Sequence, residues 1–400
     1  MVQRSAVLDG EAEPSTRGQA ADSRPPVVLQ VLPALVTGGV ERSAVDVAAA
    51  VARAGWRALV ASSGGPMVRE LERAGARHFI LPLDAKNPIT LRRNVTRLAE
   101  LVRAEGVDIV HARSRAPAWS ARAAARRAGA HFVTTFHGTY GHRGLFKRRY
   151  NAIMLQGERV IANSAFIAEH IGEVYGAQGE KLITIPRGVD VQRFDPSRVS
   201  AERMIKLSTQ WQLPDGASVI LLPGRLTRWK GQAVLIEALA RLKRDDYVAL
   251  LVGDDQGRHA YRDELLELVR KLGLAGRVRL VGDCRDMAAA YMLADVVVSA
   301  STDPEAFGRV AAEAQAMGRP VIATDHGGAR ETVLAGETGW LVPPGDAGAL
   351  AGALAQALDL DADIRAAVAE AARAHIVDNF TVERMCNATL DLYAELLRQA

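Results

Sequence analysis

The chain has 400 residues, 48% of them hydrophobic, enough for two ordinary domains with a core each, which excludes disorder of the whole. Its two cysteines, Cys284 and Cys386, cannot make a disulfide scaffold and lack the spacing with histidine that a zinc site needs, so a reducing, cytoplasmic setting is expected. The net charge of +4 divides unevenly, with 28 Lys+Arg against 18 Asp+Glu in residues 1–200 (+10) and 22 against 28 in residues 201–400 (−6). A basic amino-terminal half facing an anionic partner is the corresponding expectation.

Residues 1–26 are small, polar and rich in Gly and Pro, and are expected to form a disordered leader without the apolar core of a signal peptide. No apolar run approaches the roughly 20 residues of a membrane helix. From Val27 onward, short apolar runs at 27–32, 58–61, 79–81, 109–110, 132–135, 160–162 and 182–185 predict strands. Stretches of helical periodicity at 41–54, 66–74, 91–104 and 116–128 lie among them. After a polar, strand-poor interval at 191–215 the alternation resumes, with strands expected at 219–222, 248–252, 278–281, 296–299, 321–323 and 340–342. Helices at 232–243 and 261–272 fall between them. Continuous β-branched runs separated by helices predict parallel sheets covered on both faces. The fold class is therefore α/β, with two doubly wound, Rossmann-like domains facing a cleft. Residues 27–195 form the first domain and 196–378 the second. An amphipathic helix in 379–400 covers core and packs back toward the first domain.

In such sheets ligands sit at the carboxyl ends of the strands, against helix amino termini that favour anions. Five strand-to-helix loops therefore carry the chemistry. The first, with Gly38 and Gly39, lets backbone approach a ligand closely and is not the G-x-G-x-x-G fingerprint of a nicotinamide enzyme. The second places His137 at a strand end, where it can bond a sugar hydroxyl. In the third, Arg225 offers a planar fork to phosphate oxygens and Lys230 a mobile point charge, both read as loop charges rather than core groups. In the fourth, Glu305 and Glu313 stand eight positions apart around Phe307, Gly308 and Arg309, whose amides open a helix. The two carboxylates suit hydroxyls at different parts of one elongated ligand. A fifth loop, Asp325 to Glu331, is another glycine-rich turn.

Taken together, these positions resemble the family-4 retaining glycosyltransferases of the GT-B fold, including those of bacterial envelope and lipopolysaccharide synthesis. The resemblance is densest over Pro304, Glu305, Phe307, Gly308, Glu313, Gly318, Pro320, Gly327, Gly328 and Glu331. Gly224, Arg225, Lys230 and Gly231 carry it further, as do Gly38, Gly39 and Glu41 and the segment Pro186, Gly188, Val189 and Asp190. Arg187 stands where that family most often has Asn, and is read as loop variation. The resemblance implies a nucleotide-sugar substrate, a UDP- or GDP-hexose, and no separate cofactor. Arg225 and Lys230 would neutralise the diphosphate, Glu313 would bind ribose, and Glu305 with the amides of Phe307 to Arg309 would hold the sugar. Gly282, Cys284 and Arg285 would lie against the base, while His137, Gly38 and Gly39 would close the site. No Asp-x-Asp motif sits in a matching loop, so no metal is expected.

The acceptor is expected to be a glycan or a lipid-linked sugar. The run from His142 to Tyr150, with Arg143, Lys147, Arg148 and Arg149 among Leu145, Phe146 and Tyr150, suits contact with an anionic membrane, at its inner face. No nucleic-acid partner is expected. An epimerase on the same fold, a cleft that binds nucleotide-sugar without turnover, and a transferase with a soluble acceptor are the alternatives.

Overall fold

A computed structural model describes residues 24–36, 38–141 and 144–399. All but the last three residues of the expected leader, together with Thr37, His142 and Arg143, lie outside the described residues.

Each apolar run becomes a strand. In the first half these are β1 (Val27–Val31), β2 (Arg57–Ser62), β3 (Arg77–Ile80), β4 (Ile109–Ala112), β5 (His131–Phe136), β6 (Arg159–Ala162) and β7 (Leu182–Thr184). They form one parallel sheet in the order β3-β2-β1-β4-β5-β6-β7. The second half gives β8 (Ser218–Pro223), β9 (Tyr247–Val252), β10 (Val278–Gly282), β11 (Val296–Ser299), β12 (Val321–Thr324) and β13 (Gly339–Val342). These make a second parallel sheet, β10-β9-β8-β11-β12-β13. The order reverses beside β1 in one sheet and beside β8 in the other, so the loops after β1 and β4, and after β8 and β11, flank the two switch points. The central strands are buried on both faces, which is why they read as unbroken β-branched runs rather than as alternating patterns.

The strand-poor interval also holds a helix, Ala201–Gln210, capped by Ser200 and packed through Leu207, with Met204 and Trp211 beside it. Its apolar residues recur at helical spacing but are thinned by polar neighbours, so a search for apolar runs passes over it. The chain crosses between the domains at two adjoining points. Val189 N–H donates to the Phe380 carbonyl at 2.7 Å and Val382 N–H to the Val189 carbonyl at 3.0 Å. Beyond this crossing the helix Val382–Arg398 lies on the first domain. Met385, Cys386, Leu392, Tyr393 and Leu396 bury themselves in the core around β1, β2 and the helix Gly39–Arg53. The Tyr393 hydroxyl sits 2.6 Å from His111 Nδ1 on β4, and Arg159 pairs with Glu395 at 2.6 Å.

Candidate functional site

The loop after β1 feeds the helix Gly39–Arg53, and the loop after β11 feeds the helix Arg309–Ala316. Neither helix has a side-chain cap, so their first amides remain available to a ligand. At the second, Gly308 adopts the left-handed region (φ +83°), which only glycine enters without strain. At the first, the far end of the Arg187 side chain fills the space beside Gly39. A Cβ on Gly39 would lie 2.1 Å from Arg187 Nη1 and 3.6 Å from Arg309 Cδ, so the two helix starts meet across the cleft.

Between them opens a cleft of about 710 Å³, with Gly38, Arg42 and Met67 on one wall and residues of the second domain on the other. It is rich in guanidinium groups: Arg42, Arg193, Arg225, Arg285 and Arg309 all line it. Arg42 is held by Glu70 and Arg309 by Glu313, whereas Arg225 and Arg285 make no ion pair among the described residues. Unpaired guanidinium groups beside two uncapped helix starts form a site for a multiply charged anion. A neighbouring pocket of about 460 Å³ shares Asp283, Cys284 and Arg285 and reaches Trp211.

Glu313 is buried on the helix Arg309–Ala316, where it accepts from Tyr291 Oη at 3.0 Å as well as from Arg309. Burial, with the nearby Glu313 charge, pushes the Tyr291 phenol well above its ordinary range, so Tyr291 remains a donor. Glu305 lies deeper than its loop position suggested. Lys230 Nζ is 2.7 Å from Glu305 Oε1, and the Ser301 hydroxyl donates to the same oxygen at 2.5 Å. The two charged side chains are only 13% and 16% exposed. Burial pushes the Glu305 carboxyl upward, but the Lys230 charge and the hydrogen bonds from Lys230, Ser301 and Ser299 outweigh it and hold the group below the usual carboxylate range.

His137 stands apart from that cleft. It lines a separate cavity of about 10 Å³, with Arg113, Asn163 and Arg187. Its Nδ1 accepts from Arg187 Nη2 at 2.8 Å, and its Nε2 is buried without a partner. Burial, then the charges of Arg187 and Arg113, push the imidazole well below its ordinary value.

Of the residues singled out from sequence, Gly38, Arg225, Cys284, Arg285, Arg309 and Glu313 come together on the cleft wall. Gly39 and Gly308 form the two helix starts, and the Gly282 carbonyl bonds Gly253 N–H beside the cleft. Four expectations need correction. Lys230 is an ion-paired, largely buried residue rather than a free loop charge, because Glu305 claims it. His137, expected to close the site, instead lines a separate cavity with Arg187, whereas the Phe307 side chain is 2% exposed and packs edge-on against Phe380 at 5.6 Å, so a ligand can meet only its backbone. Arg187 is no casual loop variation, since it bonds His137 and presses on Gly39. Arg42, Arg193, Tyr291 and Ser301 escaped sequence reasoning. Arg42 meets Glu70 28 positions on and Tyr291 meets Glu313 22 positions on, while Ser301 precedes a loop read for its carboxylates. Lys147, Arg148 and Arg149 are exposed on the short helix Leu145–Asn151, with Leu145 and Phe146 84% and 94% exposed.

Comparison with known proteins agrees with this architecture. Residues 37–193 match the model "Glycosyltransferase Family 4" and residues 204–375 the model "Glycosyl transferases group 1". The D-inositol 3-phosphate glycosyltransferase of Salinispora tropica is 33% identical over 259 residues, which is 62% of this chain and 53% of that protein. The chain thus spans about half the length of the curated relatives it matches. The crystal structure of a glycosyltransferase from Rickettsia africae superposes with a TM-score of 0.88 at 39% identity, covering 94% of this chain and 100% of that one. Anabaena Alr3699/HepE, solved with UDP and glucose, superposes at 0.81 with 26% identity over 92% of this chain and 100% of that one. With both halves matched and a 39% identical structure covered along its whole length, the chain belongs to glycosyltransferase family 4 of the GT-B fold.

Proposed function

We propose that the chain is a retaining hexosyltransferase that moves a hexose from a UDP-sugar to a glycan or lipid-linked acceptor of the cell envelope. The observation that carries this reading is the interdomain cleft itself, where unpaired Arg225 and Arg285 meet two uncapped helix starts and the carboxylate of Glu313. A diphosphate fits that combination, and the Glu313 carboxylate, held by the Tyr291 hydroxyl, offers acceptors to vicinal hydroxyls. UDP is preferred over GDP because the similar Anabaena structure holds UDP and glucose.

The chain's own residues would then act as follows. Arg225, with the amides of the helix Arg309–Ala316, offsets the charge that gathers on the departing diphosphate. The Lys230–Glu305 pair, which lies behind the cleft-lining Gly224, would keep that carboxylate ionised for the sugar. Front-face attack needs no protein nucleophile, since the leaving phosphate can take the acceptor's proton, and none is assigned. Release of UDP from a UDP-hexose, dependent on added acceptor, tests the reading. Release at the same rate without acceptor, or interconversion of the sugar, would favour hydrolysis or epimerisation instead.

The acceptor side of the proposal rests on the exposed helix Leu145–Asn151, where two apolar side chains stand among Lys147, Arg148 and Arg149, and Trp119 stacks on Tyr150 at 6.1 Å. Each basic residue near an anionic leaflet contributes about 1 kcal/mol, and the peripheral, inner-face location follows from that contact. Co-sedimentation with phosphatidylglycerol vesicles, strong at low salt and lost when Lys147, Arg148 and Arg149 become Ser, is the expected result. Absence of binding at low salt would point to a soluble acceptor.

A further inference from the structure

We propose that the small cavity among Arg113, Asn163 and Arg187 in the first domain is a binding site for one monatomic anion, with chloride as its ligand in solution. This goes beyond the transferase reading and does not rest on it.

The cavity lies at the carboxyl ends of four neighbouring strands. Arg113 follows β4, Thr135 lies near the end of β5, Asn163 follows β6 and Arg187 comes after β7, and all four line it. Arg113 is buried, and Arg187, half-buried as a whole, has its Nε closed to solvent. Arg113 directs its donors to neutral oxygens, from Nε to Gln30 Oε1 at 2.8 Å and from Nη2 to the Ser43 carbonyl at 3.1 Å. Arg187 gives Nη2 to His137 Nδ1 at 2.8 Å. Two like charges therefore face one small space that has no carboxylate on its lining.

The acids that act on these groups stand outside the cavity. Glu41 acts on Arg187 and Asp46 on Arg113, but the Glu41 carboxylate is folded against Gly38, and Asp46 is shared with Arg42 and Arg309. The Cys386 thiol and the Tyr393 phenol are pushed upward by burial and stay neutral. Burial, then the charges of Arg309 and Arg113, lowers Arg187 to about 10, so it remains charged at neutral pH. An anion between Arg113 and Arg187 offsets both charges.

The unpaired polar atoms of the lining also suit an anion. Asn163 Nδ2 and Arg187 Nε are buried donors without partners. Arginine only donates, so its contact with Nδ1 leaves the ring proton of His137 on Nε2, a third unpaired donor. Asn163 Oδ1 is the one unpaired acceptor on that lining. A volume of about 10 Å³ admits a single guest the size of a water molecule, which excludes phosphate, carboxylates and sugars. Water would answer the unpaired atoms but leave the two charges facing each other. A halide answers the donors and the charges together.

Crystals of the full-length chain soaked in sodium bromide and measured at the bromine absorption edge read the site directly. The expected map has an anomalous peak in contact with Arg113, Asn163 and Arg187. In solution, Tm should rise by about 3 °C or more when sodium gluconate is replaced by sodium chloride at constant ionic strength, since gluconate is too large to enter. Arg187→Met removes that difference, with Arg113→Met as the second variant should the first fail to fold. A cavity without bromide overturns the proposal, whatever peaks lie on the surface, because its guest is then water. So does a Tm that is the same in both salts, or a chloride-specific rise that the variant leaves intact. If neither variant folds, the wild-type map still decides. Neither readout uses a nucleotide-sugar, so failure of the transferase reading and failure of the anion site are told apart.

Discussion

Removing Lys230 would strand Glu305 in a site that disfavours charge. The carboxyl is held below its ordinary value of about 4.3, so the pair contributes stability that is present above that pH and is lost as pH falls through the folded value. Lys230→Met abolishes the depression, and burial then raises the group. We therefore expect a loss of about 3 kcal/mol at pH 7, the scale for breaking a largely buried pair, shrinking near pH 4 as Glu305 takes a proton. Urea unfolding at the two pH values checks this, and Lys230→Met with Glu305→Gln should recover much of the loss at pH 7. Arg225, exposed and unpaired, behaves differently: Arg225→Ala should leave unfolding unchanged and cut turnover about 10² to 10³-fold. The chemical character of these residues was legible in their types and loop positions. Their pairing was not, because Lys230 and Glu305 are 75 positions apart and nothing local encodes a contact between loops of different strands.

At the scale of elements, the strands were the most legible feature, since burial on both faces forces continuous β-branched runs. The helix Ala201–Gln210 was the least legible, since it buries a single narrow face. The crossing at Val189 was also hidden, although Gly188 marks it: a Cβ there would lie 2.3 Å from the Thr381 carbonyl oxygen. Gly188→Ala should therefore push the two segments apart and destabilise by about 1 to 3 kcal/mol, the range for overpacking, read as a lowered Tm. Glu331 makes a second link between domains. Its carboxylate accepts from Ala165 N–H at 2.9 Å and Phe166 N–H at 2.8 Å, at the start of the helix Ala165–Tyr175, while Ser164 caps Ile167. Glu331→Ala removes a charge from a helix amino terminus and should open the cleft, seen as a larger radius of gyration in solution scattering. An unchanged radius would mean that this contact does not hold the domains together.

At the scale of the molecule, the alternating grammar and the switch-point rule together pointed to the place between two parallel sheets where the cleft opens. The 710 Å³ cleft lies at the carboxyl ends of β8 and β9, where Pro223 and Val252 line its wall. What the sequence left out was how the halves approach each other, because the contacts of Arg309 with the first helix and of Glu331 with another are set by the crossing rather than by either domain. Electrostatics at this scale give a further expectation. Were the cationic side chains and helix starts to face a diphosphate as proposed, transfer should survive EDTA, and loss restored by Mg2+ would show that the charge is offset in another way. Calorimetric titration of UDP into the wild type, Glu313→Ala and Glu305→Ala asks most directly whether the cleft is a nucleotide-sugar site with its carboxylates divided between ribose and hexose. The division predicts UDP binding weakened about tenfold or more in Glu313→Ala, as a bond to a charged group is worth about 1.5 to 3 kcal/mol, and nearly unchanged in Glu305→Ala. Equal losses in both variants, or no binding of UDP to the wild type, would contradict it.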